Sequence, residues 1–482
     1  MGTPAKISQI LAFPKSLRFF GAQSAWAGYE LGLYQSVLAQ KIYLPSWQMS
    51  VVRLLAKSRM GVLSNAHQQI DVLLTGATDK KNIRYVLQEL SKVCPHLVMA
   101  FLEKNPHLLE KNSFFVGLYL VLCHVCAHPP IKDVSDLLSV VDDVEQNFLK
   151  NNLLADRDDE KLTLLNQVLA RENLCPIELI CPDKSFFLDN FMGDDSAKAC
   201  QQSSAQVTVL VTTHNAQDTI AFCLNSLLKQ TWQNLQLIVV DDASNDDTRQ
   251  IIQDFVKQDS RVLGIVLPKN VGTFVAKSIG AMYATGEFLT CQDSDDWAHP
   301  QKIERQVLPL INNPKLIAST SHWLRIDEQG NYYARHYYPF LRHNPASPLF
   351  RRERVIKEMG LWHLVRTGAD SEFFERLKLV YGEKNIHAIK KPLTLASHRH
   401  NSLMTSDEYG AYAQKSRMDR LNYWESWRLW HIDTLSKKQK LIMPSIKEQL
   451  DNFIFAVPDK LIVNADDIRH NLKNLTLIKS ET

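Results

Sequence analysis

The sequence predicts an α/β domain with a mainly parallel central sheet, preceded by a helical region and followed by a helical extension. Between about residues 207 and 292, short apolar runs alternate with segments of helical periodicity, which is the pattern of βαβ units. The runs VTVLV and LQLIVV are almost continuously apolar, as expected of strands buried on both faces of a sheet. We therefore expect helices to cover both faces of this sheet.

The chain has 482 residues, which is more than one hydrophobic core usually organises. We predict three domains, at residues 1–200, 201–405 and 406–482. A hydrophobic content of 45% and a charged content of 22% are typical of folded globular chains. The formal net charge of +3 is small, so a nucleic-acid partner is not expected.

The first region is predicted to be α-helical, and the sequence assigns it no role. Its longest apolar run, residues 114–127, is shorter than the ~20 residues of a membrane-spanning helix, so we interpret it as a buried helix. Cys123 and Cys126 in this run resemble half of a zinc site. No second ligand pair follows at a suitable spacing, which favours packed helix cysteines.

The sequence favours a cytoplasmic protein. The N-terminal stretch MGTPAKISQ lacks the charged leader and apolar region of a signal peptide, and the eight cysteines show no disulfide-like spacing. A position at the inner face of the cytoplasmic membrane is the alternative, and it depends on the C-terminal region.

The elements of the central domain follow from the periodicity after a small polar stretch at residues 194–206. The predicted strands are residues 207–213, 235–241, 262–267 and 287–292. The predicted helices are residues 217–230, 247–256 and 273–284. Parallel strands separated by helices bring their carboxyl ends to one edge of the sheet, where such folds bind ligands.

Polar clusters follow three of these strands, and their residues are Thr212, Thr213, His214 and Asn215, then Asp241 and Asp242, then Asp293, Asp295 and Asp296. No G-x-G-x-x-G motif follows the first strand, so a dinucleotide is disfavoured. We expect a site for one nucleotide.

The aspartates after the fourth strand are candidate metal ligands. Carboxylates at positions i and i+2, as in Asp293 and Asp295, can hold Mg²⁺ or Mn²⁺ while the cation bridges a diphosphate. A lone D-x-D triplet is more often a solvated acidic turn. The position of this triplet after a strand, in register with two other polar strand ends, favours the metal site.

These motifs resemble those of the family 2 glycosyltransferases, which have the GT-A nucleotide-sugar-binding fold. The resemblance covers about residues 206–402 and rests on VLVTTHN, NSLLKQTWQNLQLIVVDDASNDDT, NVGTFVAKSIGAMYATGEFLTCQDSDDWAHPQKIERQ and GADSEFFERL. It implies an inverting, metal-dependent transfer of a sugar to a hydroxyl of a growing surface glycan such as capsule or lipopolysaccharide. The acceptor would be a glycan or a lipid-linked glycan.

The resemblance also implies the nucleotide pocket. Thr212 and Asp242 would contact the base, and His214, Asn215 and Asp241 would shape the same pocket. An aspartate that accepts a hydrogen bond from N3–H of uracil explains a uridine preference, so a UDP-sugar is the expected donor.

For the metal, the resemblance implies Asp295 as the principal ligand of Mn²⁺ or Mg²⁺. Asp293 and Asp296 would contact ribose, metal or sugar. His400, in the stretch SHRHNS, is either a further metal ligand or a surface histidine, and Arg399 could instead face the phosphates.

Two departures from the family pattern concern the chemistry. Lys277 stands where the family usually has arginine, and it keeps the charge for a diphosphate or base contact but loses the planar fork. Asp370 matches the catalytic base of the family, but the usual acidic residue before it is Ala369. Asp370 is therefore the expected base, with Glu372 a distant second, and an N-cap role for Asp370 is compatible with catalysis.

The C-terminal region reads as helical again, with six tyrosines and tryptophans between Tyr409 and Trp430 followed by Lys437, Lys438 and Lys440. These aromatic and basic residues would suit either a helix resting on an acidic membrane or packing against the central domain, and packing is favoured. Oligomerisation through the helical regions stays open.

The alternative to an enzyme is a helical scaffold or partner-binding protein with a degenerate, non-catalytic sugar-nucleotide module. The departures at Lys277 and Ala369 motivate it. The retained aspartates favour the enzyme.

Overall fold

The computed structural model describes residues 2–11, 22–39, 47–61, 80–92, 94–155, 157–194, 205–334, 337–346, 348–399 and 414–480. The chain divides into two compact units. One unit comprises Ala5–Phe187 and Leu324–Arg342, and the other comprises Gly2–Pro4, Leu188–Trp323 and His343–Thr482.

The first unit is mainly helical, as predicted. Its elements begin with α1 (Thr3–Leu11), which starts in the other unit, and continue with α2 (Ala22–Glu30), α3 (Tyr34–Ala39), α4 (Trp47–Met60), α5 (Lys80–Ser91), α6 (Pro95–Lys104), α7 (Ser113–Val125), α8 (Val134–Leu138), α9 (Asp143–Leu154), α10 (Asp158–Arg171) and β1 (Ile177–Leu179). Helix α7 is buried from Phe114 to Cys123, which confirms the predicted buried helix. Asn112 caps it by accepting a hydrogen bond from the Phe115 N–H at 3.2 Å.

Among the described helices, none has the length and apolar character needed to cross a membrane.

A hairpin from the middle of the chain completes the first unit. The end of strand β8 (Ala318–Asp327), from Leu324 onward, turns into β9 (Tyr332–Tyr333), and Asn152 holds this hairpin to α9. The Asn152 side chain donates to the Tyr332 carbonyl and accepts from the Tyr332 N–H, at 2.7 Å in both bonds. These contacts explain why residues 324–342 fold with the N-terminal helices.

The second unit contains the predicted sheet. Its remaining elements are β2 (Phe191–Gly193), β3 (Val207–Thr213), α11 (Ile220–Leu228), β4 (Leu235–Asp241), α12 (Thr248–Gln258), β5 (Val262–Val266), α13 (Thr273–Ala281), β6 (Phe288–Asp293), β7 (Trp297–Ala298), α14 (Lys302–Asn312), β10 (Arg342–His343), β11 (Leu349–Arg351), α15 (Arg352–Met359), α16 (Ala369–Tyr381), β12 (Ile386–His398), α17 (Gln414–Ser436), α18 (Ile446–Asp451), α19 (Ala465–Asn474) and β13 (Thr476–Ile478).

The strand order is β13-β5-β4-β3-β6-β11-β8-β12-β7. Strands β5, β4, β3 and β6 are parallel, whereas β13 and β11 join them antiparallel. The predicted α/β fold class, with a mainly parallel centre, is confirmed.

Helices cover both faces of this sheet, because alternate residues of each central strand enter two different cores. On one face, Val207, Val209 and Val211 pack with α11, α12 and α14. On the other face, Leu210 packs with α13, α15 and α16. The double burial accounts for the continuous apolar runs in the sequence.

The C-terminal helices belong to the second core. Tyr423 and Trp427 of α17 are buried there, which confirms packing rather than an exposed aromatic face for these two residues. Strand β13 was not predicted, and the compact units do not follow the three predicted segments. The C-terminal segment joins the sheet domain because its helices and its last strand pack on that domain.

Candidate active site

The three polar strand ends meet at one edge of the sheet. Thr212 of β3 is in register with Asp293 of β6, and Thr213 is in register with Asp241 of β4. The Thr212 hydroxyl also lies 2.6 Å from the Thr273 hydroxyl at the start of α13. The structure therefore brings the residues predicted from the three motifs together.

Asp242 organises the loop that precedes α13. Its two carboxylate oxygens accept hydrogen bonds from the N–H groups of Val271 at 2.8 Å and Gly272 at 2.7 Å. Gly272 has a φ of +80°, and a Cβ there would stand 3.3 Å from the Cα of Arg366, so this position favours glycine. Burial raises the pKa of Asp242, although the two N–H groups oppose this effect.

Asp241 has an unused acceptor. Its Oδ1 accepts from the Ser244 N–H at 3.0 Å. Its Oδ2 is buried without a hydrogen-bond partner among the described residues. A buried carboxylate oxygen of this kind can accept a hydrogen bond from a ligand.

His214 and Asn215 tie the neighbouring loops together. The His214 Nδ1 lies 2.9 Å from the Asp242 carbonyl oxygen. The Asn215 Oδ1 accepts from the Asn245 N–H at 2.9 Å, and the Asn215 N–H donates to the Ser244 hydroxyl at 2.9 Å. Both residues thus connect the loop after β3 with the loop after β4.

The aspartates after β6 have different partners. Lys277 Nζ lies 3.2 Å from Asp293 Oδ1, and Arg399 Nη2 lies 3.0 Å from Asp295 Oδ2. Asp296 is buried and accepts from the backbone N–H of Ser397 at 3.1 Å. Burial and the charge of Asp293 raise the pKa of Asp295. Asp296 therefore has a structural contact, whereas Asp293 and Asp295 pair with the cationic side chains of Lys277 and Arg399.

Asp293 and Asp295 have the chemistry to hold a hard divalent cation. The repulsion between them, visible in the raised pKa of Asp295, is the kind that a cation relieves. Mg²⁺ is often bound by one or two carboxylates with diphosphate oxygens and water as the other ligands. Within the described parts of the chain, no three His, Cys, Asp or Glu side chains are placed as a metal site. His400 lies outside the described residues.

Asp370 and Glu372 have different surroundings. Asp370 is partly exposed in the first turn of α16, and it is one of the charges that raise the pKa of Lys277 against the opposing effect of burial. Glu372 is fully buried and forms an ion pair with Arg376 at 2.7 Å and a contact with His431 at 2.9 Å. Burial raises the pKa of Glu372, but the charge of Arg376 outweighs it and lowers the pKa to about 2. Glu372 is thus part of the core.

Two cationic residues near the site were not predicted. Lys302 is fully buried and donates to Gln292, the residue before Asp293. Burial lowers the pKa of Lys302 to about 8, although Asp296 opposes this effect. Arg366 donates from Nη1 to Asn270 at 3.0 Å and lies over Gly272. The only sequence signal for Lys302 was its position seven residues after Asp295 of the D-x-D motif.

A search of protein-family models matches residues 208–368 to "Glycosyl transferase family 2". The chain carries a family 2 glycosyltransferase domain. The match includes Thr212, Asp242, Asp293 and Asp295, and it ends two residues before Asp370.

Curated relatives of this glycosyltransferase domain include three bacterial proteins. An uncharacterized glycosyltransferase of Haemophilus influenzae is 31% identical over 26% of this chain and 50% of its own length. The putative teichuronic acid biosynthesis glycosyltransferase TuaG of Bacillus subtilis is 36% identical over 21% of this chain and 40% of its own. The UDP-Glc:alpha-D-GlcNAc-diphosphoundecaprenol beta-1,3-glucosyltransferase WfgD of Escherichia coli is 35% identical over 22% of this chain and 42% of its own. The chain thus spans half or less of these three relatives.

Among solved structures, S. aureus TarS 1–349 in complex with UDP is 18% identical, with a TM-score of 0.36 over 48% of this chain and 70% of that chain. A likeness at this level carries no argument about the ligand of the glycosyltransferase domain.

Proposed function

We propose that this protein is an inverting, metal-dependent glycosyltransferase that moves a sugar from a UDP-sugar to a hydroxyl of a growing surface glycan, such as capsule or lipopolysaccharide. The observation that carries the proposal is the pairing of Asp293 with Lys277 and of Asp295 with Arg399 directly after β6, with Asp370 among the charges that act on Lys277. The family 2 glycosyltransferase domain and the likeness to the glucosyltransferase WfgD support it.

In this proposal, Asp370 is the general base. Its Oδ1 accepts from the Ser371 N–H at 2.7 Å, which fixes the carboxyl group at the start of α16. Oδ2 then takes the proton of the acceptor hydroxyl as that oxygen attacks the anomeric carbon from the face opposite the diphosphate. The sugar–phosphate bond breaks, and UDP leaves.

Asp242 and Asp241 bind the nucleotide beside the ends of β3 and β4, with Thr212 on the same edge. Asp295 and Asp293 would hold Mn²⁺ or Mg²⁺. When bound, the cation would neutralise charge on the departing diphosphate. Arg399 and Lys277 pair with these carboxylates at 3.0 and 3.2 Å, and both can turn to phosphate oxygens instead.

The experiment is UDP release by the full chain with Mn²⁺, a panel of UDP-sugars and extracted surface-glycan acceptors. Asp370→Asn should abolish transfer while UDP still binds, and Asp295→Ala should abolish both turnover and the response to Mn²⁺. Asp466→Asn, in the first turn of α19, is the matched control because Asp466 forms an exposed ion pair with Arg469. Nucleotide binding without turnover on any acceptor would instead support the non-catalytic scaffold.

A further inference from the structure

Arg366 and Asp242 are connected by the side chain of Asn270. Arg366 Nη1 donates to the Asn270 side-chain oxygen at 3.0 Å, and the Asn270 side-chain nitrogen donates to the Asp242 carbonyl at 3.1 Å. The Cα of Arg366 lies against Gly272, whose N–H binds the Asp242 carboxylate. The charge of Arg366 is one of the groups that counter the effect of burial on the pKa of Asp242. The Arg366 guanidinium is therefore linked to Asp242 through the side chain of Asn270.

The C-terminal segment holds the backbone of Arg366. The Arg366 N–H donates to the Leu461 carbonyl at 3.1 Å, and Val365 forms a β-bridge with Ile462. The buried side chain of Gln449 accepts from the Leu364 N–H at 3.0 Å. These contacts hold the backbone of Arg366 in place, and its side chain extends from this fixed point.

A second buried amide holds the loop on the other side. Asn471 accepts from the Lys269 N–H at 2.9 Å and donates to the Lys269 carbonyl at 2.8 Å. Residues 269–272 carry Asn270 and the two N–H groups that bind Asp242. The C-terminal segment therefore positions both loops that meet at Asp242.

Asp242 and Arg366 retain hydrogen-bonding groups that can distinguish one pyrimidine base from another. A carboxylate has about four lone-pair sites, so Asp242 keeps acceptor capacity after binding two N–H groups. The guanidinium of Arg366 has five donors, and its bond to Asn270 uses one of them. Uracil presents an N3–H donor between two carbonyl acceptors, whereas cytosine presents an acceptor at N3 and an amino donor at C4. The pair matches uracil and mismatches cytosine.

We propose that Arg366 is a specificity-determining residue of the donor site, which donates a hydrogen bond to the C4 carbonyl of uracil, where cytosine has an amino group, while Asp242 accepts from N3–H. This proposal rests on the proposed function, because it takes the nucleotide to bind beside Asp242.

The test is calorimetric titration of the full chain, with Mn²⁺, against UDP and CDP. Wild type should prefer UDP, and Arg366→Ala should reduce the UDP-to-CDP preference by about tenfold, since one base-edge contact gives discrimination of this order. Arg366→Lys should retain an intermediate preference because it keeps the charge but loses the fork. Arg354→Ala is the control, since Arg354 forms an exposed pair with Glu358.

Arg366→Ala and Arg366→Lys variants that keep the wild-type ratio, or that weaken UDP and CDP equally, would overturn the role of Arg366 and leave the proposed function standing. A wild-type chain that binds neither nucleotide would overturn the proposed function and this proposal together.

Discussion

The Nζ atom of Lys277 lies 3.2 Å from Oδ1 of Asp293, and the lysine side chain is only 4% exposed. This buried ammonium compensates a carboxylate that is two positions from Asp295. The charge of Asp370 also contributes to raising the pKa of Lys277. The same lysine therefore interacts electrostatically with a candidate metal ligand and with the candidate base.

Replacing Lys277 should change metal binding in a defined direction. In Lys277→Met, Asp293 loses its counter-charge, so the nucleotide-free protein should bind Mn²⁺ more tightly. One unit charge several ångströms away, at an effective dielectric constant of some tens, is worth about 1 kcal/mol, or roughly fivefold in affinity. Electron paramagnetic resonance titration of free Mn²⁺ measures this change. The exposed Lys315→Met is the control, and an unchanged Mn²⁺ affinity in Lys277→Met would argue against Asp293 as part of the metal site.

Asn471 should affect nucleotide affinity from the C-terminal helix. Asn471→Ala removes both hydrogen bonds to Lys269 and loosens the loop that holds Asp242. Because each of the two bonds is worth about 1 kcal/mol, we expect UDP to bind roughly five- to thirtyfold more weakly, with a rise in KM and little change in kcat. Asn474→Ala is the matched control, because Asn474 bonds to His470 of its own helix. If both variants bind UDP like wild type, the loop does not depend on Asn471.

Substitutions at Glu372 and Asp370 should have different effects on the free energy of unfolding. Glu372→Gln leaves the charge of Arg376 buried without its counter-charge, so it should lower the free energy of unfolding by about 3 kcal/mol. Asp370→Asn changes a partly exposed group and should shift this free energy by less than about 1 kcal/mol. Urea unfolding of both variants measures the difference. Equal losses would show that Asp370 is as structural as Glu372.

His363 should make the second unit sensitive to acid. It is buried against Tyr423, with Nδ1 3.1 Å from the phenol oxygen, and burial lowers its pKa from 6.5 to about 4. Because the folded-state pKa is the lower one, the unfolded chain binds more protons between these values, and stability falls as the pH drops through this window. The loss between pH 7 and pH 5 reaches about 2 kcal/mol for this group.

His363→Phe should remove that part of the pH dependence while keeping an aromatic ring in the core. Urea unfolding at pH 7 and pH 5 provides the comparison, and the exposed His387→Phe should retain the full wild-type loss. The same loss in His363→Phe as in wild type would mean that other buried groups carry it, such as His322 and His343, whose pKa values burial also lowers to about 4.

The central strands were predictable because their signal is local. Strands β3 and β4 have the predicted bounds, and β5 and β6 differ from them by one residue. Thr212, Asp242 and Asp295 followed from the same logic, since parallel strands necessarily bring their carboxyl ends to one edge.

The supporting residues were not predictable because their partners are distant in sequence. Asn471 contacts Lys269 across 202 positions, and Arg366 contacts Asn270 across 96. Periodicity carries no information about such pairs. Glu372 remained a candidate base for a similar reason, since its partner His431 lies on a helix 59 residues further along the chain.

The pairing of β13 with β5 has a practical consequence for anyone who trims this chain. The family match stops at residue 368, yet Thr476, Leu477 and Ile478 occupy the hydrogen-bonding edge of β5, and Ile478 packs directly on Gly264. A fragment designed on the match alone would present β5 as an open edge, which invites association with other copies. Fragments meant to stay monomeric should therefore retain the tail through Ile478.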